Sequence, residues 1–308
     1  MNNLLKKSVN FNIIDSYNGI FLQNESLKDK TTFKIGGNAS FFAKPEDSKS
    51  LIALLSWAKE NDLPIFILGG GSNLVVSDDG IDKLVISTEA FDFCEHTSSI
   101  LTCGAGCTFE KITEFCIKNE ISGLENFAGL PGTTGGAVFM NARCYEVSVS
   151  DVLHSVKYID LTDFSVKTYE FHPDDWDYKK SPFQTGDKII VEVNFKVKKG
   201  NSKEIEEKSL SFIKDRENKG HFKFPSAGSV FKNNRNFGKP SGKIIDEVGL
   251  RGISVGNAQV APWHGNFIIN NGNATASDVR NLVELIQEKV KEKTGFLLEC
   301  EIIFTDKM

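Results

Sequence analysis

Three separated clusters in this 308-residue chain carry residue types that could do chemistry. Gly69-Gly70-Gly71-Ser72-Asn73 presents consecutive backbone N–H groups, followed by a hydroxyl and an amide. Such a stretch suits phosphate oxygens, because the missing Cβ atoms let successive donors converge. Gly228-Ser229-Val230-Phe231-Lys232-Asn233 sets a hydroxyl beside a cation. Glu299-Cys300-Glu301 places carboxylates in an otherwise apolar C-terminal run. A phosphate loop with a distant Ser and Glu points to an enzyme that binds a nucleotide cofactor and delivers a proton.

The elements that must hold these groups follow from periodicity. Leu51, Leu54, Leu55 and Ala58 share one face of a helix over 47–61, which Asp62-Leu63-Pro64 ends. Strands are expected over 65–68, 74–76, 84–86 and 100–103, and a helix over 108–119 with Thr108 as its N-cap. Alternating strands fill 155–171 and 189–197, so the first two-thirds is α/β. Lys198-Lys199-Gly200-Asn201-Ser202 is polar and small and is the linker candidate. Helices over 204–218 and 277–291, with strands over 267–270 and 297–304, make the last third a small α+β domain.

The strand expected after Gly69–Asn73 argues against a Rossmann arrangement, in which a helix would follow the loop. Gly104-Ala105-Gly106-Cys107-Thr108-Phe109 does join a strand to a helix, but Phe109 stands where a third Gly belongs, and a tight structural turn is preferred. From Gly129 to Gly136 the run Gly-Leu-Pro-Gly-Thr-Thr-Gly-Gly is dense in residues that cost chain entropy unless something approaches the backbone. Two such loops in one α/β unit suggest an extended cofactor, such as a dinucleotide, held between them.

Composition narrows the classes further. The chain is 40% hydrophobic and 25% charged, with a net charge of −5, which suits a soluble globular protein rather than a nucleic-acid binder. No run approaches the roughly 20 apolar residues of a membrane span. Met1–Lys7 is basic, but Asn10, Asn12 and Asp15 interrupt any leader-like apolar run, so a cytoplasmic protein is expected. Cys94, Cys103, Cys107, Cys116, Cys144 and Cys300 lack metal-ligand spacing and are expected to be reduced thiols, with no metal site.

At these motifs the chain resembles the UDP-N-acetylenolpyruvoylglucosamine reductases. The resemblance rests on Ile67–Leu74, Gly123-Leu124-Glu125, Leu130–Ala137, Met140-Asn141-Ala142, Gly228–Asn233 and the Glu301 segment in the same order, and it runs from about Thr32 to Phe304. It implies an FAD-binding unit of two subdomains, of the vanillyl-alcohol oxidase-like (PCMH) type, over 1–90 and 91–199. A substrate domain for a UDP-sugar follows over 200–308. The short interval between Val197 and Gly228 resembles the family's second type. Gly69, Gly70, Gly71, Ser72, Asn73, Gly132, Thr133, Thr134, Gly135, Gly136, Asn141 and Ala142 would then bind FAD, with NADPH as co-substrate and the monomer as the favoured state.

The family reaction adds hydride to an enolpyruvyl methylene carbon and a proton to its neighbour, so it needs an acid and a group that stabilises the developing enolate. By motif match Ser229 is the proton donor, helped by Lys232 or a carboxyl group, and Glu301 stabilises the enolate or relays the proton. By residue type alone, Ser229 is equally a turn residue. Glu299 and Glu301 share one face of a strand and could be a solvated pair. Lys179, in Tyr178-Lys179-Lys180-Ser181-Pro182-Phe183, stands where the family has arginine, and lysine lacks the planar fork. Arg143, where the family often has glycine, is a candidate replacement for that guanidinium, against a local pair with Glu146. Tyr178, Arg216, Lys219, Lys232, Asn233 and His264 are the expected substrate contacts, with Arg216 and Lys219 on the diphosphate. The alternatives are an alcohol or sugar oxidase on the same flavin fold, and a non-catalytic UDP-sugar or flavin-binding module.

Overall fold

A computed structural model describes residues 17–307, so the leader expectation at Met1–Lys7 lies outside the described residues. The first sheet is mixed, ordered Gly19–Ser26, Asn38–Pro45, Ile81–Ser87 and Ile65–Leu68. Ile81–Ser87 pairs in parallel with both Asn38–Pro45 and Ile65–Leu68. These two flanking strands run the same way, so they need a crossover, which the helix Ser48–Glu60 supplies. Asp47 caps that helix, its Oδ1 accepting the Ser50 N–H at 2.7 Å. The expected apolar face is buried: Leu51, Leu54, Leu55 and Ala58, with Trp57, pack against Ile159, Ile189 and Val191 of the next sheet.

That second sheet is antiparallel throughout, ordered Val166–Glu170, Leu153–Asp160, Lys188–Lys196, Ile100–Gly104 and Cys94–Thr97. The helix Phe109–Lys118 covers it, and Thr108 caps this helix by accepting the Lys111 N–H. Gly104 and Gly106 lie where a Cβ would meet backbone oxygens of Phe91 and Thr88 at 2.1 and 2.2 Å. The glycines of that turn therefore serve close backbone packing. The supposed linker is tied down instead: Lys198–Lys199 pairs with Ile121–Ser122, and Gly200 N–H donates to Glu120 O. The helix Ser202–Asn218 then packs on Phe109–Lys118.

A third sheet, ordered Ser226–Ser229, Phe267–Asn270, Ala258–Val260 and Ser254–Val255, carries the helices Ser241–Val248 and Ala276–Thr294. Its core also takes in Phe33, Ile35 and Val75 from the first third of the chain. Asp78 reinforces this union by accepting N–H bonds from Ala276 and Ser277 at 2.7 and 3.0 Å, at the N-terminus of the long helix. Among the described residues no helix is long and apolar enough to cross a membrane.

The C-terminal run departs from its expectation. Only Ile303–Phe304 is a strand, pairing in parallel with Leu74–Val75. Residues 297–302 run extended beside one short partner, with a single bridge between Cys300 and Phe231. Leu298 and Ile302 are buried and Leu297 is exposed, so the run keeps the two-residue alternation that puts Glu299 and Glu301 on one side.

Asn266, just before the strand Phe267–Asn270, locks the segment that follows Ser229. Its Oδ1 accepts the Phe231 N–H at 2.9 Å and its Nδ2 donates to Phe231 O at 2.8 Å, both buried. Asn266→Ala strands two backbone groups at about 1–3 kcal/mol each. A loss of about 2–6 kcal/mol is expected, read as a lower urea midpoint with an unchanged slope.

Candidate active site

The three sheets meet around a cleft of about 2080 Å³. One wall is made of glycine. A Cβ on Gly70 would lie 2.6 Å from Gly132 Cα, and one on Gly69 would lie 2.8 Å from Thr133 Oγ1. The loops 69–73 and 131–136 therefore stand backbone to backbone, which only glycine permits. The Thr133 hydroxyl is buried between them without a hydrogen-bond partner. A buried hydroxyl rarely goes unpaired in a folded protein, and a phosphate oxygen lying between the loops would satisfy it. The residues present thus fit the dinucleotide expected from the sequence.

Not every group in the second loop faces the cleft. Thr134 is buried, donating its N–H to Cys107 O and its hydroxyl to Gly104 O, while Gly135 N–H donates to Ala105 O. These bonds fasten the loop to the second sheet and leave Thr133, Gly135 and Gly136 lining the cavity. Gly132 meets the Ser72 side chain across the loops. Asn141 donates from Nδ2 to Asp177 O and accepts the Ser150 N–H, so it braces the wall that Ala142 also lines.

The opposite wall is built by the C-terminal run. Asn73 Nδ2 donates to Glu301 O at 3.1 Å, and Ile303 N–H donates to Asn73 O at 2.9 Å. On its other side Glu301 N–H donates to Val230 O at 2.7 Å and Lys232 N–H to Glu299 O at 2.9 Å. Glu301 is thereby held between the glycine loop and the Ser229 strand, 228 residues apart in the first case. Gly228 sits at φ +74 before Ser229, where the register of the strand shifts. A left-handed residue at that point bends the strand and is easiest for glycine.

Lys179 Nζ lies 2.5 Å from Glu301 Oε1, and the two side chains are only 12% and 11% exposed. Lys179 has φ +59 in the turn Asp177–Lys180, a conformation uncommon for a side-chain-bearing residue. The turn aims the ammonium at the carboxylate. Glu299 does not share this environment: it is 72% exposed and pairs with Lys232 at 2.5 Å. Both carboxylates line the cleft, on the face that the two-residue period assigns them, but each meets its own cation.

Tyr178 OH accepts the Asn233 N–H at 3.3 Å, and Asn233 Oδ1 accepts the Ser241 N–H at 2.9 Å, at the start of a helix whose own cap residue is Pro240. Both line the cleft, as does Lys232. Arg216 is 7% exposed, donates from Nε to Ala128 O at 3.1 Å, and has its Nη2 buried and unpartnered. Its guanidinium stacks 5.1 Å from the Tyr145 ring. Lys219 is held by Asp215 at 2.6 Å and is not among the lining residues. Tyr145, unassigned by sequence, donates to the same Asp215 at 2.8 Å, and burial with that carboxylate pushes its phenol up to about 12.

Arg143 pairs with Glu146 at 2.6 Å, so its guanidinium is engaged away from Glu301. Arg143 lies on one strand of a tight hairpin whose turn is Tyr145 and Glu146, at φ +47 and +71. The positions of Arg143 and Glu146 are often glycine in the family motif, and here the two departures neutralise each other. Arg143→Gly is expected to leave turnover within about twofold, since an exposed pair contributes roughly 0–1 kcal/mol.

His264 lies behind the wall, its Nδ1 accepting the Asn266 N–H, whereas His221 lines the cleft and stacks on Phe267. No motif marks His221; only the fold brings it there. Burial, with Arg216 nearby, pulls its imidazole down to about 4. A neutral buried His221 contributes stability in full above about pH 6.5 and loses it as pH falls toward 4, because the unfolded chain binds the proton first. His221→Gln is expected to flatten that part of an unfolding-versus-pH curve.

Residues 39–166 match the family described as an FAD binding domain. Residues 220–305 match the C-terminal domain of UDP-N-acetylenolpyruvoylglucosamine reductase. The chain is 48% identical over 296 residues to the UDP-N-acetylenolpyruvoylglucosamine reductase of Treponema denticola, covering 90% of this chain and 91% of that one. With the reductase of Borreliella burgdorferi it shares 42% over 305 residues, 99% and 97% of the two chains. The crystal structure of the Thermus caldophilus reductase superposes with a TM-score of 0.77 at 32% identity, covering 94% of this chain and 99% of that one.

Proposed function

The chain belongs to the UDP-N-acetylenolpyruvoylglucosamine reductase family and carries its FAD-binding domain, and on that premise we propose that it reduces UDP-N-acetylglucosamine enolpyruvate to UDP-N-acetylmuramate, a peptidoglycan precursor, with NADPH as donor. The observation that carries this reading is the Lys179–Glu301 pair in the same cleft as Ser229 and the glycine cradle.

FAD, when bound, would supply hydride exchange between NADPH and the enolpyruvyl methylene carbon. The loops 69–73 and 131–136 would hold its phosphates, with the Thr133 hydroxyl as one donor. Arg216 offers its unpartnered Nη2 to an anionic part of the sugar nucleotide, and Tyr178, Lys232 and Asn233 line the approach. As hydride arrives, negative charge develops toward the substrate carboxylate, where the Lys179 ammonium stands, neutralised until then by Glu301. Ser229 delivers the proton to the adjacent carbon, and its lost proton is replaced from the Glu301 side or from solvent. Lysine at 179 supplies a point charge without a bidentate fork.

The test is an anaerobic flavin spectrum of the purified protein. NADPH is expected to bleach the flavin, and the enolpyruvyl sugar nucleotide to restore the oxidised band. Bleaching without recovery would overturn the substrate assignment. A protein that takes up no FAD would overturn the cradle as well.

A further inference from the structure

Behind the cradle, among residues that do not line the cleft, three thiols converge. Cys94 and Cys103 are directly opposed in an antiparallel pair, and Cys107 follows in the next turn. Cys94 Sγ lies 3.2 Å from Cys107 Sγ and 3.8 Å from Cys103 Sγ. Cys103 and Cys107 are buried, while Cys94 is half-exposed on the edge strand Cys94–Thr97, so a small oxidant meets Cys94 first. Contacts from the thiols of Cys103 and Cys107 hold the Cys94 thiol below the usual thiol range, against its partial burial, with the Lys111 ammonium adding to the effect. That favours the thiolate, the reactive form.

The segment that carries Cys107 is also the platform of the cofactor loop. Cys107 O accepts the Thr134 N–H, Ala105 O accepts the Gly135 N–H, and Gly104 O accepts the Thr134 hydroxyl. A Cβ on Gly135 would already touch Ala105 at 3.0 Å, so the platform and loop have no slack.

We propose that Cys94 and Cys107 form a reversible disulfide on exposure to hydrogen peroxide, and that closing it shifts the loop 132–136 and weakens FAD binding. The Cys94 thiolate attacks the peroxide O–O bond, giving a sulfenic acid and water after protonation. The Cys107 thiol then attacks that sulfur and displaces a second water. Two thiols are oxidised by two electrons and one peroxide is reduced to two waters. Cys107 is the resolving thiol because its sulfur is nearer than that of Cys103. The bond needs the sulfurs to close from 3.2 Å to about 2.05 Å, a movement that the edge strand and the turn must share.

The effect on FAD rests on the cradle reading above; the disulfide does not. FAD-loaded protein is treated with one equivalent of hydrogen peroxide and split for non-reducing peptide mass analysis and flavin-release fluorescence. The expected result is a Cys94–Cys107 cross-linked peptide two hydrogens lighter, FAD binding weakened at least about fivefold, and recovery of both with dithiothreitol. Cys94→Ser and Cys107→Ser should each keep their FAD through the same treatment, and Cys116→Ser should respond like the parent. A Cys94–Cys103 link, an irreversibly oxidised Cys94, or a Cys94–Cys107 link with unchanged FAD binding would overturn the proposal. Protein that never binds FAD would sink the cradle assignment, and its peptide masses would still test the thiol pair.

Discussion

Ser229→Ala is expected to slow substrate-dependent recovery of the oxidised flavin by about 10²–10⁴-fold while leaving bleaching by NADPH unchanged. A positioned general acid contributes about that factor, equivalent to about 2.7–5.5 kcal/mol of barrier. The split between the half-reactions is the informative part. Only the second requires a proton on carbon, so a variant damaged in folding or in flavin binding would slow both. Serine is a weak acid, so the proposed role calls for help from its surroundings. Its strand hands a carbonyl to the Glu301 amide through Val230, and the Glu301 carboxylate is neutralised by Lys179.

Glu301→Gln should slow the same half-reaction and also destabilise the protein, because removing one partner leaves a nearly buried ammonium unpaired. The double variant Lys179→Met, Glu301→Gln should regain stability without regaining turnover. Equal rates of recovery in Ser229→Ala and the parent would remove Ser229 from the mechanism.

Gly70→Ala is expected to abolish the yellow colour of the purified protein, with FAD affinity reduced at least a hundredfold, or about 2.7 kcal/mol. The added methyl lands 2.6 Å from Gly132 Cα and 3.1 Å from its carbonyl carbon. Neither atom belongs to a flexible side chain that could turn away. The loops must part, and their separation sets where phosphates can be held. Gly136→Ala is the comparison: its methyl would meet only the Thr133 hydroxyl, at 3.6 Å, and the milder effect is expected there. Titration of apoprotein with FAD, followed by fluorescence quenching, measures both. Parent-like affinity in Gly70→Ala would show that the contact of the two loops is not what shapes the cofactor site.

Much of the molecule is legible in its residue order. The helix over Leu51–Ala58, the cap at Thr108 and the two glycine-dense loops are local signals, written in periodicity, capping chemistry and missing Cβ atoms. The choice against a Rossmann loop is equally local, since a strand and not a helix follows Asn73. Family membership rests on ordered motifs, and the relatives from Treponema denticola and Borreliella burgdorferi bear it out.

Tertiary structure decided what no local signal encodes. The C-terminal sequence reads as a strand with Glu299 and Glu301 on one face, and the alternation of burial from Leu297 to Phe304 keeps them there, although little of the run is paired. Here a short parallel pair with Leu74–Val75 and a single bridge to Phe231 replace a ladder. Which cation each carboxylate meets depends on the neighbours that the fold brings, Lys232 beside the exposed Glu299 and Lys179 beside Glu301. The same long-range closure brings His221 to the cleft and keeps His264 behind it, whereas Arg143 turns toward Glu146 within a local hairpin. Residue types and order determined which chemistry the chain could carry. The pairing of segments more than two hundred residues apart determined which carboxylate and which cation face each other, because electrostatic contact depends on separation in space and not along the chain.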